Sequence, residues 1–279
     1  MNHNEPDDYG GLRRDLLATG AAMNRRGLLR MAARFGAGVG GLQLLAYGGS
    51  SATTPSIDKN PGATTPGTGT NGTCSTIPNE TAGPYPGDSS NGPNVLNLTG
   101  VVRSDIRSSF AGLSGTADGV PLSIVQSIVS ASTCSPLAGY AVYLWHCDRP
   151  GRYSLYSPGA TNQNYLRGVQ EADSGGKVTF TSIFPGCYAG RWPHIHFEVY
   201  RSLSAAATVS NKIATSQIAL PKSACDEVYA TSGYASSVTN LSQISLATDN
   251  VFSDGSALEL ATVSGSVSGG MTAALTAAV

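Results

Sequence analysis

From Pro121 onward the apolar residues come in short bursts. Each is soon broken by a turn rich in glycine, proline or serine, and none recurs at helical spacing through three turns. PLSIVQSIVSA (121–131), YAVYLWHCD (140–148), KVTFTSIF (177–184), IHFEVY (195–200) and NKIATSQIAL (211–220) are such bursts. Successive strand residues point to opposite faces, so Val178 and Phe180 fall on one side of a strand, with Ile183 expected inward as well. ALELATVSGSVSGG and MTAALTAAV read as a closing hairpin. Short strands at regular intervals with Gly/Pro turns predict an all-β, antiparallel β-sandwich, with a barrel as the other closed solution. One domain over 74–279 is the simplest division.

Upstream of that domain the composition changes. Asn24-Arg25-Arg26-Gly27-Leu28-Leu29-Arg30 precedes a Gly/Ala/Leu stretch from Phe35 to Tyr47, which resembles a bacterial twin-arginine export signal. We therefore expect residues 1–52 to be an export signal, with cleavage near Ser50-Ser51-Ala52, and the protein to be periplasmic or extracellular. The apolar run is shorter than the roughly 20 residues a bilayer span needs, so the mature protein is expected to have no membrane span. Residues 53–73, rich in Pro, Gly and Thr, read as a flexible tether. Net charge is −1 with no basic stripe, which argues against a nucleic-acid partner. Five cysteines, at 74, 134, 147, 187 and 225, match no zinc spacing. In an exported chain they imply disulfides with at least one thiol left over, and the spacing does not decide the pairing.

The chain has four histidines, and two of them, His194 and His196, stand two residues apart on a predicted strand. That period turns both imidazoles to one face, with Ile195 behind them. Neutral imidazole is the commonest nitrogen ligand of iron, copper and zinc. Two histidines leave a metal site incomplete. His146 is one further candidate, and Glu198 continues the same face but one step along. Two tyrosines, Tyr153 and Tyr188, each follow a Pro-Gly pair by two residues. A hard trivalent cation can hold a phenol as phenolate at neutral pH.

Taken together, ETAGPYPGD (80–88), RSDIR (103–107), CSPLAGYAVYLWHCDRPGRYS (134–154), YLRGVQEAD (165–173), KVTFTSIFPGCYAGRWPHIHFEVY (177–200) and VFSDG (251–255) resemble the intradiol ring-cleaving dioxygenases. The likeness is to the catechol and protocatechuate 3,4-dioxygenase group, and most of all to its exported bacterial members. It implies a β-sandwich of that type and a non-haem Fe(III) held by Tyr153, Tyr188, His194 and His196. It further implies an arginine, Arg191, that stabilises charge on a bound catechol, with Gln217 and Trp145 in the substrate pocket and Tyr188 as internal base. The substrates would be a catechol and O2, and the product a cis,cis-muconate. Two departures bear on substrate preference: Trp192 is expected to set a bulky ring beside the site, and Cys187 stands directly before Tyr188. Rival readings are an exported binding module, a copper or zinc enzyme using His146, and a family member that keeps iron without turnover. Which catechol is used and the oligomeric state stay open.

Overall fold

The computed structural model describes residues 73–279, so the expected export signal, and the expected tether except its last residue, lie outside the described residues. Two four-stranded sheets face each other. The first has the order β4 (Lys177–Ile183), β1 (Pro121–Val129), β8 (Gly270–Ala278), β7 (Thr262–Ser266). The second has the order β3 (Arg167–Glu171), β2 (Ala141–Trp145), β5 (His194–Tyr200), β6 (Ala214–Ala219). All neighbours are antiparallel but one: β8 lies parallel to β1, with Leu122 opposite Met271 and Val129 opposite Ala278. The closing hairpin forms as expected, and β8 then enters the middle of its sheet.

In the first sheet one face meets the core, and the sequence alternates accordingly. Leu122, Ile124, Gln126 and Ile128 of β1, Val178 and Phe180 of β4, and Met271, Ala273, Leu275 and Ala277 of β8 are buried. They pack against Val142, Leu144, Ile195, Phe197, Val199 and Ile218 from the second sheet, forming one apolar core. Ile183 is buried too, but packs with Leu166, Tyr165, Ala160 and Ala117 in a separate small cluster.

The second sheet is covered on its outer side as well. Every residue of β2, β5 and β6 is buried. Tyr143, Trp145 and Tyr200 pack outward against Val95, Leu96, Val101, Tyr153 and Tyr188. The N-terminal segment 74–88 runs along the β6 edge as a strap. Glu80 N donates to Thr215 O at 2.8 Å, and Thr215 N donates to Asn79 Oδ1 at 3.1 Å. That pairing blunts an otherwise open sheet edge.

Two helices of two turns each, α1 (Lys222–Tyr229) and α2 (Ala235–Ser242), follow β6. They are too short to show three turns of apolar periodicity. Cys225 and Val228 of α1 and Leu241 of α2 still dock on the core. Among the described residues no helix is long and apolar enough to cross a membrane.

Cys74 and Cys134 form a disulfide across a sequence separation of 60, while Cys147, Cys187 and Cys225 are buried free thiols. The disulfide ties the start of the strap to the turn after β1. Closing a loop of 60 residues removes unfolded-state entropy of about 4 kcal/mol in the chain-entropy treatment. Replacing both cysteines by serine is expected to lower unfolding free energy by about 2–4 kcal/mol in urea titration, while the folded far-ultraviolet spectrum is retained.

Candidate metal and substrate site

The outer face of the second sheet carries the site. Cross-strand register sets Arg167 opposite Trp145, Trp145 opposite His196, and His196 opposite Gln217. These four residues make one row across β3, β2, β5 and β6. His194 lies on the same face two residues before His196, while Ile195 enters the core, as the strand period requires. Neighbouring row members interact: Trp145 stacks on His196 at 4.9 Å between ring centroids and an interplanar angle of 4°.

Two loops bring the tyrosines over this face. In the first, Asp148 is the organiser. Its Oδ1 accepts Arg152 N (2.7 Å), its Oδ2 accepts Arg152 Nε and Tyr165 Oη (both 2.9 Å), and its carbonyl accepts Gly151 N (2.9 Å). The same carbonyl accepts Gly186 N at 3.1 Å, so the two Pro-Gly loops rest on each other. A Cβ at Gly186 would lie 2.4 Å from Arg149 O, which leaves glycine as the residue that fits. The second loop is held from behind by α2: Ser237 Oγ accepts Cys187 N (2.9 Å), and Asn240 Nδ2 donates to Cys187 O (2.8 Å). The helices absent from the sequence reading thus position Tyr188.

Tyr153 Oη, His194 Nε2 and His196 Nε2 form a triangle with sides of 3.0, 3.1 and 3.3 Å. Tyr188 lines the same cleft, edge-on to Tyr153 at 5.5 Å, with its hydroxyl 3.4 Å from that of Tyr85. Gly83, Pro84 and Tyr85 of the strap and Arg191 complete the lining of a cleft with about 250 Å³ of empty space, open to solvent. His194 Nδ1 lies 2.6 Å from Trp192 O. A carbonyl can only accept, so Nδ1 carries the proton and Nε2 presents its lone pair to the cleft. Burial, then the Arg191 charge, lowers the His194 pKa to about 3. Burial, then His194 and Arg191, holds His196 well below its usual value. Burial also drives Tyr153 well above 10.0, so without a cation it stays a phenol.

These donors fit a ferric ion by their chemistry. Two neutral imidazole nitrogens and a phenol oxygen crowd together with more lone pairs than protons. The three donor atoms stand 3.0–3.3 Å apart, close enough together to share one cation. Among the described residues no group of three His, Cys, Asp or Glu side chains gathers to hold a metal. The cleft offers two histidines and tyrosines instead.

The other sequence candidates lie elsewhere. His146 is fully engaged, Nε2 with Ser182 Oγ (2.7 Å) and Nδ1 with Cys147 O (2.8 Å). Glu198 points past the site to Tyr200 Oη (2.6 Å) and Lys212 Nζ (2.8 Å). Trp145 supports His196 from beside it and does not line the cleft. Contrary to expectation, the Trp192 ring does not stand beside the site: it belongs to the main core, its Nε1 donating to Leu220 O. Cys187 also faces the core, with its thiol toward Arg191 O at 3.4 Å and its pKa pushed up by burial to about 12.

Arg191 is buried and gripped from two sides. Nε donates to Asp249 Oδ2 (2.9 Å), and Nη2 donates to Gln217 Oε1 (2.7 Å) and Asp249 Oδ1 (3.4 Å). Gln217 is turned by its own donation to Thr81 O (2.8 Å). Asp249 also accepts the amides of Trp192 (2.7 Å), Val251 (2.8 Å) and Phe252 (3.1 Å). Burial alone would raise its pKa, but Arg191 and these hydrogen bonds outweigh burial and hold it below the usual carboxylate value. Sequence reading missed Asp249; its one signal was a lone acidic residue two positions before VFSDG. Asp249→Ala is expected to cost about 3–5 kcal/mol in denaturant unfolding, because it strands a buried guanidinium. In the intact protein this contribution is present above the ordinary pKa of 3.8 and is lost as pH falls through the lower folded value.

Comparison with known proteins follows the same lines. Residues 91–211 match the family model described as Dioxygenase. An intradiol ring-cleavage dioxygenase from Tetranychus urticae superimposes with a TM-score of 0.58 at 24% identity, covering 74% of this chain and 94% of that one. The dioxygenase domain of a dioxygenase–carbohydrate-binding protein fusion from Streptomyces sp. SirexAA-E reaches 0.44 at 20% identity, covering 74% and 98%. The 3-chlorocatechol 1,2-dioxygenase from Rhodococcus opacus 1CP reaches 0.46 at 15% identity, covering 72% and 70%. No curated protein matches the chain. The region that bears the tyrosines and histidines thus matches the dioxygenase family model, within a domain that has the fold of the intradiol ring-cleavage dioxygenases.

Proposed function

We propose that the protein is a non-haem Fe(III) dioxygenase that cleaves the ring of a catechol-type diol between its two hydroxyl-bearing carbons, giving a cis,cis-muconate. The observation that carries this reading is the convergence of Tyr153, His194 and His196 within 3.3 Å, beside Tyr188 and Arg191 in one cleft. Tyr153, Tyr188, His194 and His196 would hold the iron. When bound, it supplies Lewis acidity toward the diol oxygens and the electronic link between diol and O2.

The chain's own residues supply the rest. The two imidazoles are neutral far below pH 7 and so are available as ligands without losing a proton first. Tyr188, as the phenolate that the iron would hold, would take a proton from a diol hydroxyl and become a phenol; its side chain faces the cleft from a loop, which supports this role. Arg191 presents a cation whose direction is fixed by Asp249 and Gln217, ready to stabilise charge developing on the ring oxygens. Pro84 and Tyr85 give the ring an apolar and aromatic wall that excludes water.

Export by the Arg25-Arg26 signal is part of the proposal. A disulfide between Cys74 and Cys134 is the kind of bond that persists in oxidising compartments, which supports it. Replacing Arg25-Arg26 by Lys-Lys is expected to leave the protein inside the cell, and undiminished export would remove this part.

The deciding experiment is oxygen uptake by purified, iron-quantified protein across a panel of catechols. About one iron per chain, a visible phenolate-to-iron band and uptake matched by muconate are expected. Tyr188→Phe and His194→Ala should lose or strongly shift the band, while His146→Ala keeps iron in place. Iron without turnover on any catechol would identify a degenerate member. No iron at all would leave a binding module.

A further inference from the structure

Arg167 is 1% exposed, and among the described residues no carboxylate pairs with it. A buried guanidinium is among the costliest groups to take out of water, and it is ordinarily kept beside an acid. Here every hydrogen bond goes to a neutral oxygen. Nη2 donates to Tyr85 O and Ser154 O (both 2.9 Å), Nη1 to Pro86 O (2.7 Å) and Tyr143 Oη (3.2 Å), and Nε to Ser154 Oγ (3.0 Å). Apart from Tyr143 on β2, the recipients fall into two groups. Tyr85 and Pro86 belong to the strap whose Gly83, Pro84 and Tyr85 wall the cleft, and Ser154 follows Tyr153. Strap and tyrosine loop therefore meet at one side chain.

The surroundings are built to hold this fork. Arg167 O accepts Arg103 Nε (3.0 Å) and Nη2 (2.7 Å), which pins its backbone from behind. Tyr143 Oη also donates to Pro86 O (2.7 Å), so the strap carbonyl is claimed twice. The strap folds so closely over the guanidinium that a Cβ at Gly87 would lie 2.8 Å from Nη1. Arg167 also ends the cross-strand row that runs through Trp145 and His196 to Gln217, whose amide donates to Thr81 O. The strap is thus held at both ends of that row.

We propose that Arg167 is the positioning residue of the substrate cleft, clamping the Gly83–Tyr85 wall to the Tyr153 loop through the planar fork of its guanidinium. The functional part rests on the dioxygenase reading; the clamp itself does not. A lysine ammonium keeps the charge but cannot span five acceptors in one plane, so charge and fork can be separated.

The test compares wild type, Arg167→Lys and Arg167→Met. Hydrogen exchange is followed at 82–88 and at the β2 and β5 amides, and KM and kcat are measured for catechol. In both variants exchange at 82–88 should accelerate by about tenfold or more, in keeping with loss of charged hydrogen bonds, while β2 and β5 change by less than about twofold. KM should rise by a larger factor than kcat falls. Unchanged exchange at 82–88, equal acceleration in all segments, or full rescue by lysine would each overturn the clamp. Should the methionine variant not fold, the lysine variant decides alone by the same criteria. If the exchange result holds and wild type cleaves no catechol, the dioxygenase reading fails and the clamp stands.

Discussion

Burial of the second sheet on both faces is the constraint from which the site follows. A strand with one wet face can set polar groups outward at little cost. In β5 the outward residues His194, His196 and Glu198 are almost wholly withdrawn from solvent, so each gains from a partner in the protein or in what it binds. Glu198 finds Lys212 and Tyr200. The two imidazoles turn their Nε2 atoms toward each other and toward Tyr153, an arrangement that a shared cation would complete. The inner face of the same strand, Ile195, Phe197 and Val199, anchors it in the core. One seven-residue element thus joins the apolar core to the cluster of polar side chains at the cleft.

The two buried arginines beside the cleft are handled in opposite ways. Arg191 meets an acid, Asp249, which cancels its charge at long range and leaves a directed local dipole at the cleft. Arg167 meets only carbonyl and hydroxyl oxygens, so its positive field is uncancelled by a paired carboxylate. That field disfavours protonation of the nearby histidines, contributing to the low values of His146 and His196, and it partly offsets the upward push of burial on Tyr153. At His196 and Tyr153 both effects favour the unprotonated state that the proposed ligand roles would require.

The first sheet was legible in the sequence because one wet face leaves alternation behind, as in Val178 and Phe180 or Met271 and Ala273. Where cover comes from both sides, as in β6, the alternation vanishes and only the run of small and apolar residues remains. β3 was not read as a strand at all. RGVQE holds one aliphatic side chain, Val169, and its buried arginine looks like a loop residue until its partners are seen. The histidine pair and both tyrosines were legible from spacing and resemblance together. Asp249 and Arg167 were not, since each owes its role to contacts across dozens of residues. The parallel pairing of β1 with β8 was hidden for the same reason: a strand's own residues do not state which neighbour it will take.

That pairing has a consequence for the order of events in folding. β8 follows β7 in the chain, yet it sits between β1 and β7, and Ala131 and Ile77 hydrogen-bond to residues 279 and 278. Until β8 is in place, β1 has one partner instead of two, and Ile124 lacks its neighbour Ala273. Pairing β1 with β8 joins segments far apart in the chain, a non-local contact of the kind that closes late in folding, so one edge of β1 stays open until β8 docks.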